Sequence, residues 1–170
     1  VGGPRRDAAG GIDPGLLERL RHSGLRLDRE GRWWHEGQRV THAGLARALH
    51  RWLDRLEDGR FVVRLDARRL AYVEVEDAPY AVRRIRVDGR GGRRRVWLLL
   101  SDGSEEELDY GSLAVSTADN ALYCRVKGGL LARFSRPAYY RLAELIEPAG
   151  GGFVLRAAAA RWPIGKREGE

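Results

Sequence analysis

The sequence predicts an α+β fold of two lobes, built from mixed and antiparallel sheets with two main amphipathic helices. Three observations carry this. Two stretches place apolar residues at spacings of three and four behind a polar capping residue. Many short stretches alternate apolar and polar residues between Gly, Asp and Asn turns. The same order of elements also occurs twice, which points to repeated β-β-α-β units.

The totals set the frame. A chain of 170 residues fits one domain, or two small ones sharing a core. Apolar residues make up 43% and charged residues 32%, with the two signs interleaved, so disorder is expected only at the ends. The single cysteine, Cys124, excludes an internal disulfide and a cysteine-based zinc site. No apolar run approaches the roughly 18 residues of a membrane helix, and no charged-then-apolar leader opens the chain. The expectation is a cytoplasmic protein in a reducing compartment, with no membrane partner. Net charge is +7, and Lys127 and Lys166 are the only lysines. Such a balance permits nucleic-acid contact, but an arginine excess reflects a GC-rich coding genome as readily.

In chain order, residues 1–24 read as a loose N-terminus and a short helix. That helix is capped by Asp13-Pro14, striped by Leu16, Leu17 and Leu20, and closed by Gly24. A strand is expected over Leu25 to Trp34, with turns at Glu30-Gly31 and Glu36-Gly37. Thr41 then caps the clearest helix, whose inner face carries Leu45, Leu49, Trp52, Leu53 and Leu56, up to Asp58-Gly59. Strands follow at Phe61–Leu65, Leu70–Glu76, Tyr80–Val87, Val96–Leu100 and Glu105–Tyr110. Leu113–Ser116, Leu122–Val126 and Leu130–Phe134 lead to a second cap, Ser135. Its helix carries Tyr139, Leu142, Leu145 and Ile146 and stops at Pro148. A final strand runs from Phe153 to Ala157, and the tail after Trp162 reads as polar and frayed. Residues 25–88 are assigned to an N-terminal lobe and 89–170 to a C-terminal lobe. The second lobe repeats the first: strand, tight turn, cap, helix, glycine, then Phe61-Val62-Val63-Arg64 or Phe153-Val154-Leu155-Arg156.

Several polar groups could carry chemistry. Glu74, Glu76 and Asp77 could hold a divalent metal or act as acid and base. Arg84 and Arg86, on the adjoining strand of the same expected hairpin, explain those carboxylates equally well as cross-strand ion pairs. His35, His42 and His50 are too widely spaced for one helical metal pair, and no His-Glu-x-x-His pattern exists. Arg136, with Tyr139 and Tyr140 and beside Lys127 and Gly128-Gly129, could bind an anion at a helix N-terminus. Arg90, Arg93, Arg94 and Arg95 form the densest basic patch, on a Gly-rich loop that could touch phosphates. Cys124 sits in an apolar strand and reads as packing. No nucleophile elbow, P-loop or dinucleotide fingerprint occurs, and no cofactor is expected.

Three segments resemble one family. Trp34-His35-Glu36-Gly37 through Val40-Thr41 and Leu45 resembles the opening motif of the bacterial family of unknown function numbered 1285. Val75-Glu76-Asp77-Ala78-Pro79-Tyr80 resembles that family's Val-Glu-Asp-Ala-Pro-aromatic run. Val126 to Leu142, with Gly129-Leu130, Arg136-Pro137 and Tyr140-x-Leu142, is similar to its third block. The resemblance implies a two-lobed α+β fold with repeated motifs, and a role in ligand sensing or signal transduction. It carries no catalytic residue and no metal site. Glu36, Glu76, Asp77, Arg136 and Tyr140 fall on motif positions and are the candidate ligand-binding residues. The chain departs from the pattern at His42, where arginine is expected, at Leu65-Asp66, where Thr-Pro is missing, and in the arginine-rich loop.

The leading reading is a cytoplasmic binding or regulatory module with a small molecule or protein partner, its ligand held between the lobes. Its rivals are an enzyme using Glu76 and Asp77, with or without a metal, and a nucleic-acid binder working through Arg90, Arg93, Arg94 and Arg95. Exposed strands also leave room for a homo-oligomer.

Overall fold

The computed structural model describes residues 23–64 and 69–168; the helix expected after Asp13-Pro14 and the Leu65-Asp66 position lie outside them. The fold is α+β, with sixteen short strands and two α-helices among the described residues. The chain divides into two compact units. Among the described residues, one comprises 23–28, 32–64 and 69–76, the other 29–31 and 77–168.

The first unit runs β1 (Leu25–Leu27), β2 (Trp33–His35), β3 (Gln38–Arg39), α1 (Ala43–Arg51), β4 (Leu53–Arg55), β5 (Phe61–Arg64) and β6 (Leu70–Val75). Its strands form one sheet in the order β3-β2-β1-β6-β5-β4. Every pairing is antiparallel except that of β1 with β6. Leu27, Trp33, Leu49, Leu53, Val62, Val63 and Val73 are buried, and His50 is buried with them. The Trp33 indole N–H donates to His50 Nδ1 at 2.7 Å, with the rings edge to face. In that bond Nδ1 is the acceptor.

The single strand expected over Leu25–Trp34 is two strands with a corner between them. Asp28 builds the corner. Its carboxylate accepts from the Arg32 backbone N–H at 2.9 Å, Arg32 Nε at 2.7 Å and the Trp34 indole N–H at 2.8 Å. Burial alone would raise this carboxyl's pKa, but those donors outweigh it and hold the group below the usual carboxylate range.

The first helix is shorter than its leucine spacing suggests. It stops at Arg51, with Trp52 as the C-cap, and Leu53 already lies in β4 opposite Val63. The Arg64 N–H donates to the Trp52 carbonyl at 2.8 Å, so sheet pairing takes over where helix propensity would have continued. Leu49 and His50 face inward, while Leu45 is 46% and Trp52 42% exposed. The cap is His42 and not Thr41: His42 Nδ1 accepts from the Leu45 N–H at 3.1 Å.

The second unit begins with β7 (Tyr80–Asp88), β8 (Arg95–Leu100), β9 (Glu105–Glu107), β10 (Ala114–Ser116), β11 (Leu122–Val126) and β12 (Leu130–Phe134). It continues with α2 (Arg136–Ala143), β13 (Ile146–Ala149), β14 (Gly152–Ala157), β15 (Ala160–Pro163) and β16 (Gly165–Arg167). Seven strands form a sheet in the order β16-β10-β11-β12-β7-β8-β9, and β13-β14-β15 form a separate antiparallel sheet. The long strand β7 pairs with β8 and β12, and β6 with β1 and β5. The hairpin expected between residues 70–76 and 80–87 therefore does not form, and Tyr80–Asp88 belongs to the second unit's sheet. Helix α2 is capped by the Ser135 hydroxyl, as expected, but ends at Ala143, so Ile146 opens a strand. The tail is not frayed. Gly165–Arg167 pairs in parallel with Ala114–Ser116, and Trp162 stacks on Tyr110 at 5.4 Å.

The repeat is visible in element order. Hairpin, helix, hairpin occurs as β2-β3-α1-β4-β5 and again as β11-β12-α2-β13-β14. Leu49 and Leu142 each lie seven residues after their caps, and both are buried. The two copies differ in sheet membership, since β4 and β5 join the main sheet of their unit while β13 and β14 do not.

Leu142→Ala removes a fully buried side chain and should lower stability by about 2–5 kcal/mol. Leu45→Ala should stay within about 0.5 kcal/mol of the parent, because the side chain is half exposed; urea unfolding of both variants checks this. The depressed Asp28 carboxyl stabilises the fold above its ordinary titration range. That contribution should be lost as pH falls below about 4 and through the depressed value. Asp28→Asn should cost about 1–3 kcal/mol at neutral pH and flatten the acid limb of a stability–pH curve.

Candidate functional site

The expected candidates lie in both units. In the first unit, a cleft of about 640 Å³ opens beside the starts of β1 and β5. Leu25, Phe61, Val73 and Val75 give it an apolar lining, and Arg26, Glu36, Arg60, Tyr72 and Glu74 surround them. Glu36 reaches the cleft because Glu36-Gly37 is the two-residue turn between β2 and β3, with φ of 47° and 77°. Such a turn needs positive φ at both positions. The Glu36 N–H donates to the Gly24 carbonyl at 3.0 Å, which fixes the turn against the entry to β1.

The charges of the cleft are not equivalent. Arg26 is paired with Glu76 and lies over the Trp34 ring at 5.0 Å. Arg60 donates to Asp58 at 2.6 Å and covers the Tyr72 ring at 4.5 Å. Glu36 and Glu74 have no ion pair or side-chain hydrogen bond among the described residues. Both arginines are thus neutralised locally, while two carboxylates stay open to an incoming group.

In the second unit, Asp77 belongs to a closed network. The Tyr123 hydroxyl donates to Asp77 at 2.9 Å, and Arg133 Nη1 reaches the same carboxylate at 2.9 Å and the Tyr123 oxygen at 2.6 Å. Arg133 Nη2 binds Asp119 at 2.7 Å. The guanidinium of Arg133 lies 5.5 Å from the centre of the Tyr123 ring, and that of Arg167 lies 5.3 Å from it. Burial, reinforced by the Asp77 carboxylate, pushes the Tyr123 phenol up to about 12. Burial works against the Arg133 charge, but Asp119 and Asp77 override it and keep the guanidinium protonated. Arg133 in turn holds the Asp119 carboxyl below its usual range.

The remaining candidates separate. Lys127 turns to the β8–β9 hairpin, 3.1 Å from Asp102 and bonded to Ser104. Arg136 stands at the other end of β12, a five-residue strand of about 16 Å. The anion site expected from Lys127 with Arg136 is therefore not assembled. Tyr140 is 72% exposed and stacks on Tyr139. His42 and His50 serve the cap and the core described above. No group of three or more His, Cys, Asp or Glu side chains is placed to hold a metal ion among the described residues. Cys124 is fully buried, and burial pushes its thiol up, as packing requires. Arg95 pairs with Glu107 and, with Arg86, lies about 5.5 Å from the Trp97 ring centre. Arg90, Arg93 and Arg94 have no such partner among the described residues. No helix is long and apolar enough to cross a membrane among these residues.

Sequence reading missed Tyr123, Arg133 and the Tyr72 and Glu74 flank of the cleft. One signal was present. Val126 pairs with Leu130 across Lys127-Gly128-Gly129, and counting back along both strands places Tyr123 opposite Arg133.

No family model and no curated protein matches the sequence. Two solved structures share the fold. A DUF1285 family protein from Shewanella baltica is 18% identical, with a TM-score of 0.58 over 72% of this chain and 92% of that one. Another, from Silicibacter pomeroyi, is 26% identical, with a TM-score of 0.71 over 83% of this chain and 79% of that one. Both neighbours are DUF1285 family proteins, the family that the sequence motifs resemble. The Val75–Tyr80 run that resembles the family signature has a concrete local role in this chain. It ends β6, buries Ala78 and Tyr80, and delivers Asp77 to Tyr123 and Arg133.

Because Asp77 is fully engaged, its replacement should be read in stability. Arg133→Met strands two acceptors and should cost about 2–3 kcal/mol. Asp77→Asn keeps the shape and should cost less, about 1–2 kcal/mol. Guanidinium unfolding checks both, and an Asp77→Asn protein as stable as the parent would show that the carboxylate is not structural.

Proposed function

We propose that this chain is a binding module that takes a small ammonium-bearing ligand with an apolar body into the first-unit cleft. One observation carries the reading: Glu36 and Glu74 are unpaired at the rim of an apolar cleft whose two arginines already have carboxylate partners. A carboxylate facing such a lining gains more from an ammonium group than it would in open water, because fewer solvent molecules screen the pair. Leu25, Phe61, Val73 and Val75 supply the surface against which the ligand's carbon skeleton loses water. A volume of about 640 Å³ suits a metabolite-sized molecule. A regulatory role in ligand sensing, expected from the family resemblance, would be exercised through this occupancy. The enzyme reading draws less support, since both carboxylates it needs are engaged, Asp77 by Tyr123 and Arg133, and Glu76 by Arg26.

Thermal unfolding with benzylamine and tyramine, against benzyl alcohol as the uncharged control, tests the proposal. The amines should raise the unfolding midpoint progressively with the logarithm of their concentration, by the equivalent of about 2.7 kcal/mol at a hundredfold excess over Kd. Glu74→Gln and Glu36→Gln should each remove most of the shift without altering the ligand-free midpoint. Equal shifts from alcohol and amine, or none from either, would overturn the reading.

A further inference from the structure

The arginine-rich loop does not stand alone. Gly92 and Arg93 line a second concavity, of about 460 Å³, together with Arg156, Ala159, Ala160 and Arg161 from the β14–β15 hairpin. Three arginines from two separate segments thus line one hollow. Among the described residues only one carboxylate is paired with them: Glu147 lies 3.5 Å from Arg156 and 3.4 Å from Arg161. Arg93 has no ion pair among the described residues, and neither have the flanking Arg90 and Arg94. The hollow therefore holds a clear surplus of positive charge.

The backbone fixes this arrangement. The hairpin turns at Ala158-Ala159, both at positive φ, 51° and 59°, where Asn and Gly are the usual occupants. Two alanines are held there because the Ala158 N–H donates to the Arg94 carbonyl and the Ala159 N–H to the Gly92 carbonyl, each at 2.7 Å. The turn is clamped to the loop, so the segments that carry the arginines cannot drift apart. Arg156 lies directly over Gly92, where an added Cβ would meet its Nε at 3.7 Å. Arginines carried on segments fixed in this way can recognise phosphate oxygens through paired N–H donors.

We infer that the Arg93–Arg156–Arg161 hollow is a binding site for adjacent phosphate groups, carried by a free oligophosphate compound or by a single-stranded nucleic-acid backbone. It is separate from the first-unit cleft, and its charge preference is the opposite one.

Isothermal titration of the full chain with inorganic tripolyphosphate, at about 0.15 M ionic strength, tests it. Saturable binding is expected. Arg93→Ala/Arg161→Ala should weaken it at least about tenfold, and Arg161→Glu should weaken it on its own. Arg39→Ala/Arg47→Ala removes the same net charge from the first unit and should leave binding unchanged. These are exposed side chains, and circular dichroism confirms that each variant is folded. A short single-stranded oligonucleotide separates the two sources. Tighter binding than tripolyphosphate, with a steep salt dependence, identifies a nucleic-acid backbone; tripolyphosphate binding alone identifies a free oligophosphate. Absence of saturable binding to either probe overturns the inference. So does an equal loss in the Arg39/Arg47 variant, which would mark mere bulk charge.

Discussion

The second unit depends on one half-buried cation. Arg133 lies in β12, with Tyr123 opposite it on β11 and Ala81 opposite it on β7. Its guanidinium ties Asp77 and Asp119 to the face of the sheet opposite the one where Ala132 and Phe134 are buried. Strand side chains alternate, so a slip of one residue would drive Arg133 into the apolar interior and bring Ala132 and Phe134 out. Leaving a charge unpaired in that interior costs more than any local gain could offset. The register of three strands is thus set by electrostatics as well as by apolar contact. It places Ser135 where it caps α2, and the Ser135 N–H where it donates to the Val82 carbonyl.

Much of this was legible in the residues. Strands Leu122–Val126 and Leu130–Phe134 have the bounds that alternation and the Lys127-Gly128-Gly129 turn indicate. The recurrence of hairpin, helix and hairpin was readable too, because caps and turns leave local signatures. The leucine series from Leu45 to Leu56 misled for a physical reason. A spacing of three and four fits a helix, but Leu53 is claimed by pairing with Val63, which no local pattern announces. The polar strand Gly165–Arg167 carries no apolar signal at all. It is held by backbone bonds to Leu113 and Thr117, and such bonds are indifferent to side-chain identity.

The charged residues divide by whether they have partners. The motif carboxylates Glu76 and Asp77 look reactive in a sequence, yet each sits against an arginine. Cross-strand neighbours decide this, and they come from strands fifty or more residues distant. The groups left unpaired, Glu36 and Glu74 on one unit and Arg93 on the other, are less conspicuous in the sequence. A fold that neutralises most of its charges internally makes the few exceptions informative, because each isolated charge at a concave surface raises the folded state's electrostatic energy until a counter-ion arrives.

The strand Gly165–Arg167 also serves as a lid on a sheet margin. It covers one side of β10, whose other side is occupied by β11. Three polar residues near the C-terminal limit of the sequence are therefore what separates a row of N–H and C=O groups from neighbouring molecules. Proteolytic trimming there, or a fusion partner that pulls the strand away, would uncover the N–H and C=O groups of β10 that it now pairs. The soundness of the sheet at this edge rests on Gly165–Arg167 staying paired with β10.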